Sequence, residues 1–322
     1  MANRINEIEI IHILLNTLGQ PKGDYSKIGD DVAYFPIKDG KLVVKCDMLV
    51  RKTDVPNEMK LWQAARKSIV MCVSDFAAKG VRPLATLISI GIPREFKQND
   101  IEELAKGFKM AKEEYSIEVI GGDTNEADDL IIDCCMFGFA ERIVPRSGAK
   151  PGDVVISSGV FGYSSLGLKI LLEGLEVNSS LKEKAISSIL MPKARLDLGI
   201  KLSKILSASI DSSDGLAISL YEIAQQSNVS IVIDKLPTTE SIIQFSSQYG
   251  IDIKDLVFYG GEEYEIVATL PKERVNEAML IAKEMSIQLV EIGRVIEGSP
   301  KVLLLSEKGL EPILRKGWVH LA

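Results

Sequence analysis

At 322 residues the chain exceeds the size at which one hydrophobic core usually stops growing, so two domains are expected. Hydrophobic residues make up 46% and charged residues 26%, with no low-complexity stretch, which excludes long disorder. A formal net charge of −7, without any cluster of Lys and Arg interleaved with aromatics, leaves no nucleic-acid footprint, so no nucleic-acid partner is expected.

In chain order, "INEIEIIHILLNTLG" carries Ile5, Ile8, Ile11, Leu14, Leu15 and Leu18 at helical spacing and stops at Gly19 and Pro21. Two strands, "DVAYFPI" and "KLVVKCDM", follow around the turn "KDG". A helix over 57–79 closes at Gly80, and then come a strand "PLATLISIGI", a helix from Asp100 to Tyr115, and strands "IEVIGG" and "LIIDCCMFGFA". "ERIVPRSGAKPGDVVISSG", rich in Pro, Gly and basic residues, reads as the crossing between domains 1–140 and 141–322. The second half predicts strands "DVVISS", "VSIVID", "YEIVATL" and "LVEIGRV", with a helix after "GVFGYSS" and others near 194–206, 214–227, 238–249 and 273–286. Both halves are mixed α/β.

Cys46, Cys72, Cys134 and Cys135 form no CxxC pair and sit in apolar runs, as free thiols of a reducing compartment would. Glu7 and Glu9 interrupt the start where a signal peptide would be apolar, and no run reaches the roughly 18 apolar residues of a membrane span. A cytoplasmic location away from the membrane is expected.

The acids carry the chemistry. The stretch Ile69 to Ala78 is apolar around almost its whole circumference, so its helix is buried, and an ionised Asp75 there needs a basic partner or a bound cation. Asp47 in "LVVKCDMLV", Asp123 in "EVIGGDTNE", and Asp211 and Asp214 in "SIDSSDGLAISL" each lie at or just past the end of an apolar run. With Asp30 and Asp31 of "KIGDDVAYFP" they suggest a shared site of hard oxygen ligands, suited to Mg²⁺; Asp30 is the expected ligand, and Asp31 shapes the turn. His12 and His320 are the chain's only histidines, which leaves little material for a zinc site or a His-based triad. Mg²⁺ implies phosphate, and the glycine turns "GGDT", "SGVFG" and "YGGEEYE" allow close backbone approach, though tight turns need nothing more. Ser212 or Ser213 can cap a helix whose N-terminus favours phosphate, while GxxxxGK[ST] is missing and excludes a P-loop.

"GDD", "CDMLV", "VSDFAAKG", "GGDT", "RSGAKPGD", "DSSDGL", "GGEEYE" and the tail "GWVH", in this order, resemble the thiamine-monophosphate kinase family of the aminoimidazole ribonucleotide synthetase superfamily. The resemblance implies a two-domain α/β architecture, a homodimer paired through the N-terminal domain, and transfer of the γ-phosphoryl group of ATP to thiamine monophosphate. It implies several Mg²⁺ ions on Asp30, Asp47, Asp75, Asp123, Asp211 and Asp214, with Asp75 and Asp214 most critical and no protein nucleophile. ATP would meet Gly122, Asp123, Arg146 and Ser213, and the thiamine portion would meet Glu262 and Trp318, with Asp54 as a further substrate residue. Where bacterial members carry Ser-Thr before the Asp of "CDMLV", this chain has Lys45 and Cys46, which removes hydroxyl ligands; Asp54 stands where many carry a His. Two alternatives stay open: a synthetase of the same superfamily with another small acceptor, and a non-catalytic nucleotide-binding module of a maturation complex.

Overall fold

The computed structural model describes residues 6–21, 23–26 and 28–321, so Ile5 lies outside the described residues. The first half runs α1 (Glu7–Leu18), β1 (Ala33–Ile37), β2 (Gly40–Val50), α2 (Arg51–Asp54), α3 (Leu61–Lys79), β3 (Pro83–Ile92), α4 (Gln98–Tyr115), β4 (Glu118–Glu126) and β5 (Ile131–Ala140). The second begins with β6 (Val154–Ser157), α5 (Tyr163–Glu173), α6 (Ser179–Leu190), α7 (Leu196–Leu202), β7 (Ala208–Ser212), α8 (Leu216–Ser227) and β8 (Ser230–Ile233). It ends with α9 (Glu240–Tyr249), α10 (Ile253–Val257), β9 (Glu265–Leu270), α11 (Val275–Glu284), β10 (Val290–Ile296), β11 (Lys301–Ser306) and β12 (Gly309–Pro312).

Two mixed sheets result. The five-stranded sheet has order β1-β2-β5-β3-β4, antiparallel except for β3 with β4; the seven-stranded sheet has order β12-β11-β8-β10-β6-β9-β7, antiparallel except for β11 with β8. The helix α3 lies between them, packed on β2 and β5 of one and on β7 and β9 of the other. One apolar core therefore joins Val43, Ile69 and Phe76 to Ile156, Leu198 and Ile266.

Local chemistry sets the ends of α3. Gln63 Oε1 accepts from Lys60 N at 2.9 Å, and Gly80 closes the helix in the left-handed region at φ 67. The helix is buried along nearly its whole length, as its apolar circumference requires. By contrast, α1 is fixed by a capping box between Asn6 and Glu9, yet none of its described side chains is buried and Ile8, Ile11, Leu14 and Leu18 are exposed. It is tied to the chain's end by Glu7 N donating to His320 O at 3.3 Å and His320 N donating to Glu7 Oε2 at 3.2 Å.

The helix α7 crosses α3 so closely that a Cβ on Gly199 would overlap Ala77 O. Gly199→Ala gains about 1 kcal/mol of helix propensity but loses about 1–3 kcal/mol to overpacking, so a net destabilisation is expected. A fall in the urea midpoint at constant m value checks this; an unchanged or raised midpoint contradicts the close crossing.

Candidate functional site

The charges of α3 organise the site. Arg66 makes a two-pronged pair with Glu114 of α4, both N···O distances 2.9 Å, and donates to Pro192 O at 2.8 Å. Lys67, fully buried, donates to Asp54 O at 2.7 Å and to the Glu262 carboxylate. Lys79, also fully buried, lies 2.7 Å from both Asp30 Oδ1 and Asp31 Oδ2 and donates to Ser209 O at 2.6 Å. Asp75 Oδ2 lies 3.0 Å from Lys45 Nζ, which is 3.1 Å from Asp47 Oδ1. The basic partner that a buried Asp75 demands is thus Lys45, and the pair stands beside two further acids.

Asp31, Asp75 and Asp211 are buried, and each offers one carboxylate oxygen within 4.8 Å of the others. An ion of Mg²⁺ size holds its oxygens at about 2.1 Å, which puts pairs of them about 3–4 Å apart, so the spacing suits one cation. Asp31 Oδ2 is buried and paired with the Lys79 ammonium at 2.7 Å, so Asp31 enters the cluster as an ionised carboxylate. Three buried carboxylates brought this close repel one another unless a cation lies between them, and a donor set of hard oxygens fits Mg²⁺.

Electrostatics separate the three. Burial pushes the Asp31 carboxyl up, but Lys79 and Arg146 outweigh it and hold the group below its ordinary value. Burial raises Asp75 well above the ordinary range despite Lys45, with Asp211 and Asp47 adding repulsion. Asp211 is pushed up to about 7 by burial and then by Asp31, against a hydrogen bond from Ser74 Oγ at 2.7 Å. Without a cation, Asp211 holds a proton below about pH 7 that a cation would displace.

Asp31, and not the expected Asp30, lies in the cluster with Asp75 and Asp211. Asp30 Oδ1 accepts from Asp31 N at 2.8 Å and stays in the turn, while Asp31 enters the cluster. Arg146 is tied down rather than free: its Nε donates to Asp31 Oδ1 at 2.7 Å, its Nη1 to Gly29 O at 3.1 Å, and its Nη1 is 3.5 Å from Glu222 Oε2. Neither Ser212 nor Ser213 caps α8; Gly215 is its N-cap, at φ 116, and Ser212 Oγ is buried without a hydrogen bond among the described residues.

Ser213, Asp214, Glu262 and Trp318 come together through the backbone. Glu262 N donates to Ser213 O at 2.6 Å, and Trp318 N donates to Asp214 O at 3.0 Å. Gly261 is pressed on Ser213, where a Cβ would overlap the carbonyl, and Glu262 follows in the left-handed region at φ 66, a strained conformation for a side-chain-bearing residue. Asp214 is exposed just before α8, and Trp318 is 52% exposed. Asp54 joins this group through its carbonyl on Lys67, but its carboxylate accepts from Val50 N at 2.7 Å.

Gly122 and Asp123 stand apart. Both are exposed on β4, the edge strand, and the register places Gly122, Ile88, Cys134 and Asp47 in one row across four strands. Three interstrand steps separate Gly122 from Asp47, about 14 Å at about 4.8 Å each. Gly122 is required because a Cβ there would overlap Ile88 O, and Asp123 Oδ1 accepts from Thr124 N at 2.8 Å. Sequence reasoning passed over Lys67 and Lys79; the available signal was a second and third charge on a helix already read as buried.

Residues 29–140 match the AIR synthase related protein, N-terminal domain, and residues 150–305 match the AIR synthase related protein, C-terminal domain. The thiamine-monophosphate kinase of Nitrosopumilus maritimus is 40% identical over 318 residues, 99% of each chain, and that of Pyrococcus abyssi 37% identical over 324 residues, 100% of this chain and 98% of its own. The solved structure of AaThiL complexed with AMPPCP and TMP is similar with a TM-score of 0.86 at 32% identity, covering 99% of this chain and 98% of that one. With both domain models matched in order and such identity along its whole length, the chain belongs to the thiamine-monophosphate kinase family of AIR synthase related proteins.

Proposed function

We propose that the chain transfers the γ-phosphoryl group of ATP to the phosphate of thiamine monophosphate, giving thiamine diphosphate and ADP. The observation that carries this reading is the convergence of Asp31, Asp75 and Asp211, from three distant segments, beside the start of α8 and a ring of fixed cations. The family resemblance and the relatives named above supply the substrates.

Both partners in the transfer are anionic, so their repulsion is the main obstacle and a general base is hardly needed. Mg²⁺, when bound, would neutralise and align the phosphates. Asp31, Asp75 and Asp211 would hold it, with Asp214 at the mouth and Asp30 in the adjoining turn. Ser213, before the start of α8, would meet the phosphates, the Ala217 amide of the first turn being taken by Phe258 O, and Gly122 and Asp123 would extend the nucleotide side along β4. Arg146 keeps Asp31 ionised and in place, which makes its role toward ATP indirect in this geometry. On the acceptor side, Lys67 fixes Glu262 beside Asp54, and the exposed face of Trp318 suits a flat cationic ring. Cys46 is not a rival nucleophile, because partial burial and then Asp133 push its thiol up to about 12.

In the same reading, residues 1–140 form the dimerising unit and 141–322 complete the nucleotide and acceptor pockets. Support for a homodimer is the sheet face opposite α3, where strand alternation leaves Met48 and Phe139 exposed, together with the uncovered stripe of α1. A cytoplasmic setting is supported by four free cysteines, and no helix among the described residues is long and apolar enough to cross a membrane.

Purified protein with ATP, Mg²⁺ and thiamine monophosphate should yield thiamine diphosphate and ADP in equal amounts. ADP release driven by a different acceptor, with no diphosphate formed, would contradict the assignment. Asp75→Asn should lower kcat at least about 100-fold while leaving the circular dichroism spectrum unchanged, since it removes charge at nearly constant volume. Full activity in that variant would reduce Asp75 to a structural partner of Lys45.

The raised carboxyls fix a pH dependence. Below about 7 Asp211 is protonated, and a proton must leave before a cation binds, so apparent Mn²⁺ affinity should fall about tenfold per pH unit between 7 and 5. Affinity that stays flat across this range would mean the cluster is not the ion's site.

A further inference from the structure

The strand β2 pairs with β5 in unbroken register from Lys41 to Val50, so Val43, Lys45, Asp47 and Leu49 share one face. Val43 and Leu49 on that face are fully buried against the core around α3. A lysine pointed at a core needs a strong reason, and its reason is visible: Nζ sits 3.1 Å from Asp47 Oδ1 and 3.0 Å from Asp75 Oδ2. The other acids of the cage have separate partners, Asp31 with Lys79 and Arg146, and Asp211 with Ser74 Oγ.

We propose that the Lys45 ammonium is a built-in cation that takes the place of one divalent ion in the phosphate cage. An ion bridging Asp47 and Asp75 would have to occupy the space of the ammonium, and two cations cannot share it without strong repulsion. Asp31, Asp75 and Asp211 still bring one carboxylate oxygen each within 4.8 Å of the others for an ion of their own. Lys45 therefore does by tether what a second metal would do by diffusion. It supplies a positive charge that needs no loading and does not depend on the free Mg²⁺ concentration. This inference rests on the metal-dependent reading above.

The test counts ions and does not use turnover. Mn²⁺, as a paramagnetic stand-in for Mg²⁺, is titrated into the full-length protein with saturating AMPPCP, and free Mn²⁺ is read by electron paramagnetic resonance. Lys45→Met should bind one more Mn²⁺ per chain than the wild type, and Lys45→Arg, which keeps the charge, the same number as the wild type. Asp47→Asn, made without touching Lys45, should lose no ion. A Lys45→Met count equal to wild type overturns the inference, and so does loss of an ion in Asp47→Asn, which decides the matter alone if Lys45→Met does not fold. The underlying metal reading fails on a different arm, namely equal Mn²⁺ counts for wild type and Asp75→Asn.

Discussion

Four ionisable side chains on one buried helix govern this molecule. Arg66, Lys67, Asp75 and Lys79 all lie inside the protein on α3, and each would cost several kcal/mol if left alone there. Their partners come from far along the chain: Glu114, Glu262, Lys45, and the pair Asp30 and Asp31. Satisfying them pins α4, the loop before β9, β2 and the turn before β1 to a single helix. A purely apolar α3 would serve packing as well or better, so the charges point to the site they assemble rather than to stability.

That frame explains the charge distribution of the cluster. Lys79 and Arg146 stand on one side and keep Asp31 ionised, while Lys45 stands on the other beside Asp75 and Asp47. Between them Asp75 and Asp211 are held as acids whose charge is unfavourable until a cation arrives. Phosphoryl transfer between two anions needs such an arrangement, because alignment and charge neutralisation are most of the work. Lys67 extends the same logic by fixing Glu262 and the Asp54 carbonyl, on the side proposed for the acceptor.

Much of this was legible in the sequence. The burial of α3 followed from its apolar circumference, and β3 runs from Pro83 to Ile92, the bounds of the expected strand "PLATLISIGI". The mixed α/β class came from the same patterns, and Asp75 and Asp211, singled out there, lie in one cluster. Short elements escaped, among them α2, α10 and the hairpin of β11 and β12, since four to six residues carry too little periodicity. The expected helix over 57–79 begins at Leu61 because residues 57–59 form a turn after Pro56, closed by Met59 N donating to Pro56 O at 2.9 Å. Asp30 was the expected ligand, whereas Asp31 is the one in the cluster, because the tertiary positions of Lys79 and Arg146 decide which of the two turns inward. Nor does spacing along the chain show that Gly122 and Asp123 sit at a sheet edge, three strands from Asp47. Lys45 looked like a lost hydroxyl ligand, and three-dimensional contact turns it into a charge partner.

The central claim is that Asp31, Asp75 and Asp211 together hold the ion that serves the phosphates. Anomalous diffraction at the manganese edge, from crystals grown with Mn²⁺, AMPPCP and thiamine monophosphate, tests it most directly. We expect a peak at about 2.2 Å from an oxygen of each of these three carboxylates. Manganese bound only at Asp30, Asp47 or Asp123, with none at Asp31 and Asp211, would contradict it.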